Sequence, residues 1–459
     1  MSELRLHTCG NATLILEKNS VPILATDPWL DIHTAYFGSW CTSHKIPKFH
    51  FELLQKVPFI WISHFHPDHL NLRSLLKLKA REKTILLSYQ YCNRVAEDLR
   101  RAGMKVVILP PRQFINIEDD LDIATFPILS TVDSILLIRF KQNLVINSND
   151  TSWDPSMNFI KKEVAKSKSS LLLKLAGYGD ADMINIYDEK SRFIEPIAAT
   201  KPAPGFLLTS QANKLNCTHA MHFSSFHKYI RKDSLWANKY TTPENDLTRG
   251  WNKNIGYFKQ FSSILINEKG FMKLPSTYPD KNDIAVQMPQ EYGDNWDEEL
   301  SFMEEKVVIN YLNKIEEINK NGFSIKVGKK IISSDRFNIK AYQKYNFILN
   351  APRKSLLRAI RSNIFDDLLI GNFAKIIITN KKTLNFRNTL KIPSKYVDNV
   401  RINDAQELKQ FLWAYRNSYD SKLTLLKSDL KIRARDIVLS NLIKNTKLLG
   451  KLKNFYQKI

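Results

Sequence analysis

Three histidines and an aspartate that could hold a metal ion lie within six residues of this sequence. The segment FIWISHFHPDHL contains the pattern H-x-H-x-D-H, whose members are His64, His66, Asp68 and His69. In an extended chain, residues two apart point the same way, so the first two histidines can meet on one ion. Pro67 then turns the chain, and Asp68 and His69 are aimed at a second position.

The donor types indicate the metal. Imidazole together with carboxylate suits zinc or non-haem iron, whereas magnesium and calcium prefer shells of oxygen atoms. The motif therefore predicts one or two divalent metal ions, zinc or iron, of the kind that activates water or oxygen. No histidine follows His227, so imidazole chemistry is confined to the first part of the chain.

The elements around the motif predict a layered arrangement of strands and helices. FIWIS is an apolar strand that ends at the motif, and PILATD, TILLS and KVVILP have the same strand-like composition. LNLRSLLKLKAREK and YCNRVAEDLRRAGM have helical periodicity, and Gly103 ends the second. FINI, LDIATFP, SILLIRF and NLVINS form a further strand series. The fold class expected is α+β.

The chain length predicts more than one domain. We expect a metal-binding catalytic domain at residues 1–270, a linker rich in Pro, Asp and Asn at 271–295, and a smaller basic α+β domain at 296–459. In the last of these, DEELSFMEEKVVINYLNKIEEINKNG predicts a long helix closed by Gly322. FSIKV, KKIISS and FNIKAY predict a small antiparallel sheet.

The formal net charge of +22 favours anionic partners. From Ala351 onwards, 23 Lys and Arg face only 8 Asp and Glu. An anionic small-molecule substrate is the partner expected. Nucleic acid or an acidic membrane surface would also suit the charge, but no nucleic-acid-binding motif supports the former, and an AT-rich genome would explain a Lys- and Asn-rich composition equally well.

Cysteine usage and the start of the sequence predict a cytoplasmic protein. The four cysteines are widely spaced and include no C-x-x-C pair, which argues against a disulfide framework, a zinc ribbon or an iron–sulfur domain within this sequence. MSELRLHTCGN has no long apolar core of a signal peptide. No apolar run approaches the length of a membrane span.

The motif and its flanks resemble the metallo-β-lactamase fold superfamily, which implies an αββα sandwich. The opening LHTCGNATLILE and ILATDPWL are similar to the first hairpin of that fold, with Asp27 at its early aspartate. LVINSNDTSW is similar to the strand that delivers a metal-bridging aspartate, here Asp150, although an ordinary turn aspartate would also fit. DPWL, YFGSW and SHFHPDHLNLRSLLKL resemble the CMP-N-acetylneuraminate and UDP-N-acetylmuramate hydroxylase-like branch over residues 1–250.

This resemblance implies a metal shell of six residues, with Asp68 and Asp150 also catalytic: His64, His66, Asp68, His69, Asp150 and His222. The shell departs from the usual pattern, because no histidine lies between His69 and His219. Where the relatives carry one, this chain reads Pro127-Ile128-Leu129. Asp180 or Asp182 could compensate or be loop residues. His219 and His227 are expected at the surface or behind the metal ligands.

Three functions remain open from the sequence. The first is a metal-dependent enzyme on a nucleotide-sugar or phosphorylated substrate, which either hydroxylates it, as the resemblance implies, or hydrolyses it with metal-bound hydroxide. The related hydroxylases receive electrons through a Rieske cluster. Because this sequence has no Cys and His pairs to hold such a cluster, a hydroxylase would need an external electron donor. The second is a non-catalytic binding or scaffold protein with a structural metal site. The third is a nucleic-acid-processing hydrolase, whose affinity would fall steeply with salt.

Overall fold

The protein is described by a computed structural model. It describes residues 2–31, 35–128, 133–151, 156–176, 184–196, 203–314, 322–334, 347–379 and 397–427, together with residues 430 and 434. None of the helices in these ranges has the length and apolar character needed to cross a bilayer.

Most strands of the first 274 residues form two mixed sheets. The strands are β1 (Leu4–Cys9), β2 (Thr13–Lys18), β3 (Val21–Thr26), β4 (Trp40–Thr42), β5 (Phe59–Ile62), β6 (Thr84–Ser88), β7 (Lys105–Leu109), β8 (Ile115–Glu118), β9 (Leu121–Ile128), β10 (Asp133–Phe140), β11 (Asn143–Asn149), β12 (Ser169–Lys174), β13 (Ile186–Asp188), β14 (His219–His222), β15 (His227–Tyr229), β16 (Gly256–Tyr257), β17 (Ser263–Asn267) and β18 (Gly270–Leu274). One sheet has the order β18-β17-β1-β2-β3-β5-β6-β7, and the other has the order β16-β14-β12-β11-β10-β9-β8.

Five helices cover the outer faces of these sheets: α1 (Lys48–Lys56), α2 (Leu72–Lys77), α3 (Arg94–Arg101), α4 (Met157–Ala165) and α5 (Pro204–Leu215). The first three pack on the first sheet, and the other two pack on the second. Between the sheets lies an apolar layer to which both contribute. Strand β10 shows why the sequence builds these layers, because Leu136 and Ile138 enter the layer between the sheets while Ile135 and Leu137 face the helices. The predicted αββα sandwich is confirmed.

A smaller unit follows, with strands β19 (Phe323–Val327), β20 (Lys330–Ile332), β21 (Phe347–Asn350) and β22 (Lys375–Ile378), and helices α6 (Phe302–Asn313), α7 (Arg353–Arg361), α8 (Phe365–Ile370) and α9 (Ala405–Asn417). The expected antiparallel pairing of FSIKV with KKIISS is confirmed, since β19 and β20 run antiparallel, but the whole sheet is mixed. Strand β21 runs parallel to β19, and β13 from the first part of the chain joins as a parallel edge strand. FNIKAY lies outside the described residues. Helix α6 begins later than predicted, because the side chain of Ser301 caps it.

The segment predicted as a linker is bound to the first unit. Its first residues belong to β18, which pairs with β17. Further along, the Asp280 carbonyl accepts from the Lys45 backbone, and the Asn282 amide donates to Thr42 and His44. The boundaries at 270 and 295 stay predictions, but the two units share a sheet through β13 and β22, and side chains of Arg94, Arg112 and Glu97 bond to the C-terminal unit.

Candidate metal centre

The H-x-H-x-D-H motif forms the connection between β5 and α2. After Pro67 the chain closes into a tight turn, in which the backbone N–H groups of His69 and Leu70 donate to the His66 carbonyl at 2.9 and 2.7 Å. Asn71 caps α2 by accepting from the Ser74 backbone, and its amide donates to the Pro67 carbonyl at 3.1 Å. The turn thus fixes the motif at the carboxyl end of β5, where parallel-sheet enzymes carry their functional groups.

His64 and His66 converge as the sequence predicted. The Nε2 atom of His64 lies 2.8 Å from Nδ1 of His66. A carboxylate lies on the same side, because Oδ1 of Asp133 is 3.7 Å from His64 Nε2. Asp133 is the first residue of β10, so the second sheet contributes a carboxylate to the two histidines of the first.

Asp68, His69 and Asp150 form a neighbouring group. The Nε2 atom of His69 lies 3.3 Å from Oδ2 of Asp68 and 3.3 Å from Oδ2 of Asp150. The Ser224 hydroxyl donates to the other oxygen of Asp150 at 2.5 Å. His64, His69 and Asp150 each offer a ligand atom within 4.8 Å of the other two. The motif and the aspartate at the end of β11 are therefore brought together.

The chemistry of this donor set fits metal ions. Ligand atoms about 2.1 Å from one ion lie roughly 3–3.5 Å apart, which is close to the separations above. Among the described residues, the buried Nε2 of His69 has only the two 3.3 Å contacts with Asp68 and Asp150 and no hydrogen bond of good geometry. A buried polar atom of this kind is costly unless something satisfies it, and a cation between Asp68 and Asp150 would do so.

His222 is the one predicted ligand that the structure does not bring to this cluster. Its Nε2 lies 2.9 Å from the Leu247 carbonyl, and no hydrogen bond or ion pair in the described ranges joins it to the other five residues. Its role as a ligand stays a prediction. The ring of His227 is buried and stacks on Trp40, and neither of its nitrogens makes a hydrogen bond of good geometry to a described residue.

The loop before His227 is tied to the same carboxylates. Burial lowers the pKa of His227 to about 4, and the charges of Asp68 and Asp150 partly oppose that shift. The amide of Asn11 donates to Oδ2 of Asp68 at 2.8 Å, while its oxygen accepts from the Phe226 backbone at 2.9 Å. Residues 224–227 therefore lie beside both aspartates.

The known proteins that are similar to this chain match only parts of it. No protein-family model matches the chain. CMP-N-acetylneuraminic acid hydroxylase of Asterias rubens is 30% identical over 134 residues, which cover 28% of this chain and 20% of that protein. The Xenopus laevis hydroxylase is 26% identical over 289 residues, covering 59% and 47%. The chain spans less than half the length of each of these relatives.

Solved structures similar to this one include Igni18, a metallo hydrolase from Ignicoccus hospitalis, with a TM-score of 0.37, 14% identity, and coverage of 58% of this chain and 99% of that one. CmlA, a diiron β-hydroxylase from Streptomyces venezuelae, has a TM-score of 0.34, 15% identity, and coverage of 48% and 45%. In this chain, two mixed sheets covered by helices place H-x-H-x-D-H at the end of β5 opposite Asp150 at the end of β11. The chain has the metallo-β-lactamase fold.

Within this fold, Asp27 is the buried support of the centre. One carboxylate oxygen accepts from the Ser63 backbone at 2.8 Å. The other is within 2.6 Å of the Ser63 hydroxyl, 2.8 Å of the Asn149 amide and 3.1 Å of His69 Nδ1. Because Asp27 holds the far nitrogen of His69, Nε2 is directed towards Asp68 and Asp150. Its φ of +41° is a left-handed conformation that aspartate tolerates.

A tyrosine supports Asp68 in the same manner. The Tyr36 hydroxyl donates to Oδ1 of Asp68 at 2.5 Å, so both oxygens of this aspartate are held, one by Tyr36 and the other by Asn11. Burial, reinforced by the Asp68 charge, keeps the pKa of Tyr36 well above its usual value. Tyr36 is therefore a fixed donor that orients Asp68.

Opposite charges inside the cluster shift the pKa values of its members. Burial favours the neutral forms, but the neighbouring His69 lowers the pKa of Asp68 and Asp150 below the usual range. For His69, burial acts against protonation, and the two aspartates overcome it and raise its pKa. Without metal, the positive charge of His69 thus balances the negative charges of Asp68 and Asp150. A divalent ion can replace that positive charge.

Two carboxylates near the motif were not predicted from the sequence. Asp133 begins a strand at the same end of the sandwich as the motif. An acidic residue at such a strand end is a signal from which the sequence could have predicted this contact. Asp366 lies 300 residues from His66, in α8, yet its Oδ2 is 3.3 Å from His66 Nε2. Nothing in its local sequence indicates that contact. Asp180 and Asp182 lie outside the described residues.

Proposed function

We propose that this protein is a metal-dependent hydroxylase with two non-haem iron ions, acting on an anionic substrate such as a nucleotide-linked sugar. The first ion would be held by two histidines and a carboxylate, and the second by a histidine pair and a carboxylate, with one aspartate between the ions. The residues are His64, His66 and Asp133 for the first, Asp68, His69 and His227 for the second, and Asp150 between them.

The observation that carries this proposal is the position of Asp133 beside His64, whose Nε2 lies 3.7 Å from Oδ1 of Asp133 and 2.8 Å from Nδ1 of His66. Two histidines and one carboxylate with open positions are the donor set typical of non-haem iron oxygenases. A carboxylate at this place, where the fold usually has a third imidazole, makes the first position richer in oxygen donors. Catalytic zinc sites of hydrolases use the same donor set, so iron is supported by the sequence relatives, which are named as hydroxylases.

When bound, the ions would supply activation of O₂ and the electrons for inserting an oxygen atom, a reaction that also needs an external reductant. The residues of the chain orient and shield the centre. Asp27 and Tyr36 fix His69 and Asp68, whose side chains are 0% and 3% exposed. The Asp150 side chain is 30% exposed, so substrate would approach from the side of Asp150.

The charge around that approach suits an anionic group. Lys174, at the end of β12, donates from its ammonium to the Thr151 carbonyl, directly after Asp150. This places a positive charge beside the entrance, in a chain whose net charge is +22. The sequence relatives are named as hydroxylases of a CMP-linked sugar acid, which supports a nucleotide sugar as the substrate class.

The test combines metal analysis with oxygen consumption. Protein purified without chelators under reducing conditions is expected to contain iron, and a CMP-linked sugar acid with an external reductant is expected to stimulate oxygen uptake. The variant His64→Ala should lose both, whereas His219→Asn should keep both, because His219 lies at the opposite end of β14 from the site. Zinc in the purified protein with turnover independent of oxygen would refute the hydroxylase and support hydrolysis.

A further inference from the structure

We propose that Asp366 of the C-terminal unit positions His66, so that this unit is a working part of the metal centre. The inference rests on the proposed metal centre. His66 directs Nδ1 towards His64 Nε2 at 2.8 Å, and its opposite nitrogen, Nε2, lies 3.3 Å from Oδ2 of Asp366. An imidazole that binds a metal through one nitrogen carries its proton on the other, and a carboxylate there fixes the tautomer and the ring orientation.

The position of Asp366 is set by an anchor from the metal-binding unit. Arg94, in α3, donates to the carbonyl groups of Ser362 and Asn363 at 3.0 and 2.7 Å, immediately before α8. The same guanidinium reaches the Asp398 carbonyl at 3.1 Å and the Asn399 side chain at 3.0 Å. One arginine therefore holds both loops that flank the first turn of α8, and Asp366 lies in that turn.

A second set of contacts fixes the same turn from within the C-terminal unit. The fully buried carboxylate of Asp398 accepts from the Phe365 backbone at 2.8 Å and from the Tyr311 hydroxyl at 3.0 Å. Phe365 immediately precedes Asp366. Because the turn is held from both units, Asp366 is presented to His66 in a defined place.

An incidental surface ion pair is the ordinary explanation for a histidine next to an aspartate, and such pairs contribute little. Here the side chains of His66 and Asp366 are only 17% and 19% exposed. The pair is partly shielded from water, and the Asp366 carboxylate contacts the nitrogen of His66 that faces away from the proposed metal.

The experiment measures metal affinity rather than activity. Full-length protein freed of metal is titrated with Zn²⁺ against a chromophoric chelator, in the wild type and in the variants Asp366→Asn and Asp366→Ala. Removing a carboxylate that orients a ligating histidine typically weakens metal binding by about 10–100-fold. We expect that loss for Asp366→Ala and a smaller loss for Asp366→Asn, whose oxygen can still accept from Nε2–H. The matched control is Asp297→Asn, an exposed aspartate of the same unit.

Thermal unfolding of the metal-free proteins separates this role from a structural one. Asp366→Asn is expected to unfold within about a degree of the wild type without metal but to gain less stability when Zn²⁺ is added. Equal metal affinity in the wild type and both Asp366 variants would overturn the proposal. So would a loss far beyond a hundredfold, which would make Asp366 a direct ligand. If the wild type and Asp297→Asn themselves bind no metal, the proposed function fails instead.

Discussion

Replacing Asp27 with asparagine is the sharpest test of how the metal centre is built. The substitution keeps the size of the side chain and suits the left-handed backbone at this position. It leaves an oxygen for the Ser63 backbone. On the other side, however, it places an NH₂ group against the Asn149 amide and His69 Nδ1, which now lie 2.8 and 3.1 Å from a carboxylate oxygen.

The cost can be worked out from these contacts. Two donors that now have an acceptor would face another donor, and each buried unsatisfied donor costs about 1–3 kcal/mol. The expected loss in the free energy of unfolding is therefore about 2–6 kcal/mol, a large part of the ~5–15 kcal/mol that stabilises a typical domain. Because His69 also loses its orienting carboxylate, metal binding should weaken by about 10–100-fold.

Urea unfolding of the metal-free protein and chelator competition measure the two effects separately. Asp119→Asn is the matched control, since Asp119 is exposed in the turn between β8 and β9. A loss of less than about 0.5 kcal/mol, typical of a surface substitution, would refute the reasoning about Asp27. A destabilised variant with unchanged metal affinity would show that Asp27 supports the fold but does not orient His69.

Three further predictions concern the ligands and the pH dependence of stability. Asp133→Ala should reduce the metal content measured by mass spectrometry from two ions to one per chain, and a content of two would exclude Asp133 as a ligand. His227→Ala should lose an ion that His222→Ala retains, and the reverse result would restore the sequence prediction for His222. Burial lowers the pKa of His50 to about 4, so the unfolded chain takes up a proton at this residue that the folded protein does not. The wild type should therefore lose up to about 2 kcal/mol at His50 between pH 7 and pH 5, and His50→Gln should show a correspondingly shallower loss in urea unfolding; parallel pH profiles would contradict this.

The sequence predicts the sandwich because its signals are local. Strand β5 and the motif after it are contiguous, and the turn at Pro67 and the cap at Asn71 are set by residues a few positions apart. The alternation in β10 likewise follows from neighbouring side chains. Helix α6 was predicted too early, because its start depends on the cap at Ser301 rather than on periodicity.

What the sequence does not predict is contact between distant segments. Asp366 meets His66 because Arg94 of the first unit holds the segment before α8, while Asp398 fixes the first turn of α8 from within the C-terminal unit. The choice between His222 and His227 depends on which ring faces the aspartates, and local pattern contains no such information. The parallel edge strand β13 belongs to the same class of feature, since its partner β22 lies almost 200 residues away.

The most direct test of the account is anomalous diffraction at the iron absorption edge from crystals of protein grown and purified without chelators. The account predicts two iron peaks, one beside His64, His66 and Asp133 and the other beside Asp68, His69 and His227. Asp150 should lie between them. A single peak, peaks at the zinc edge only, or no peak at these residues would contradict a two-iron centre.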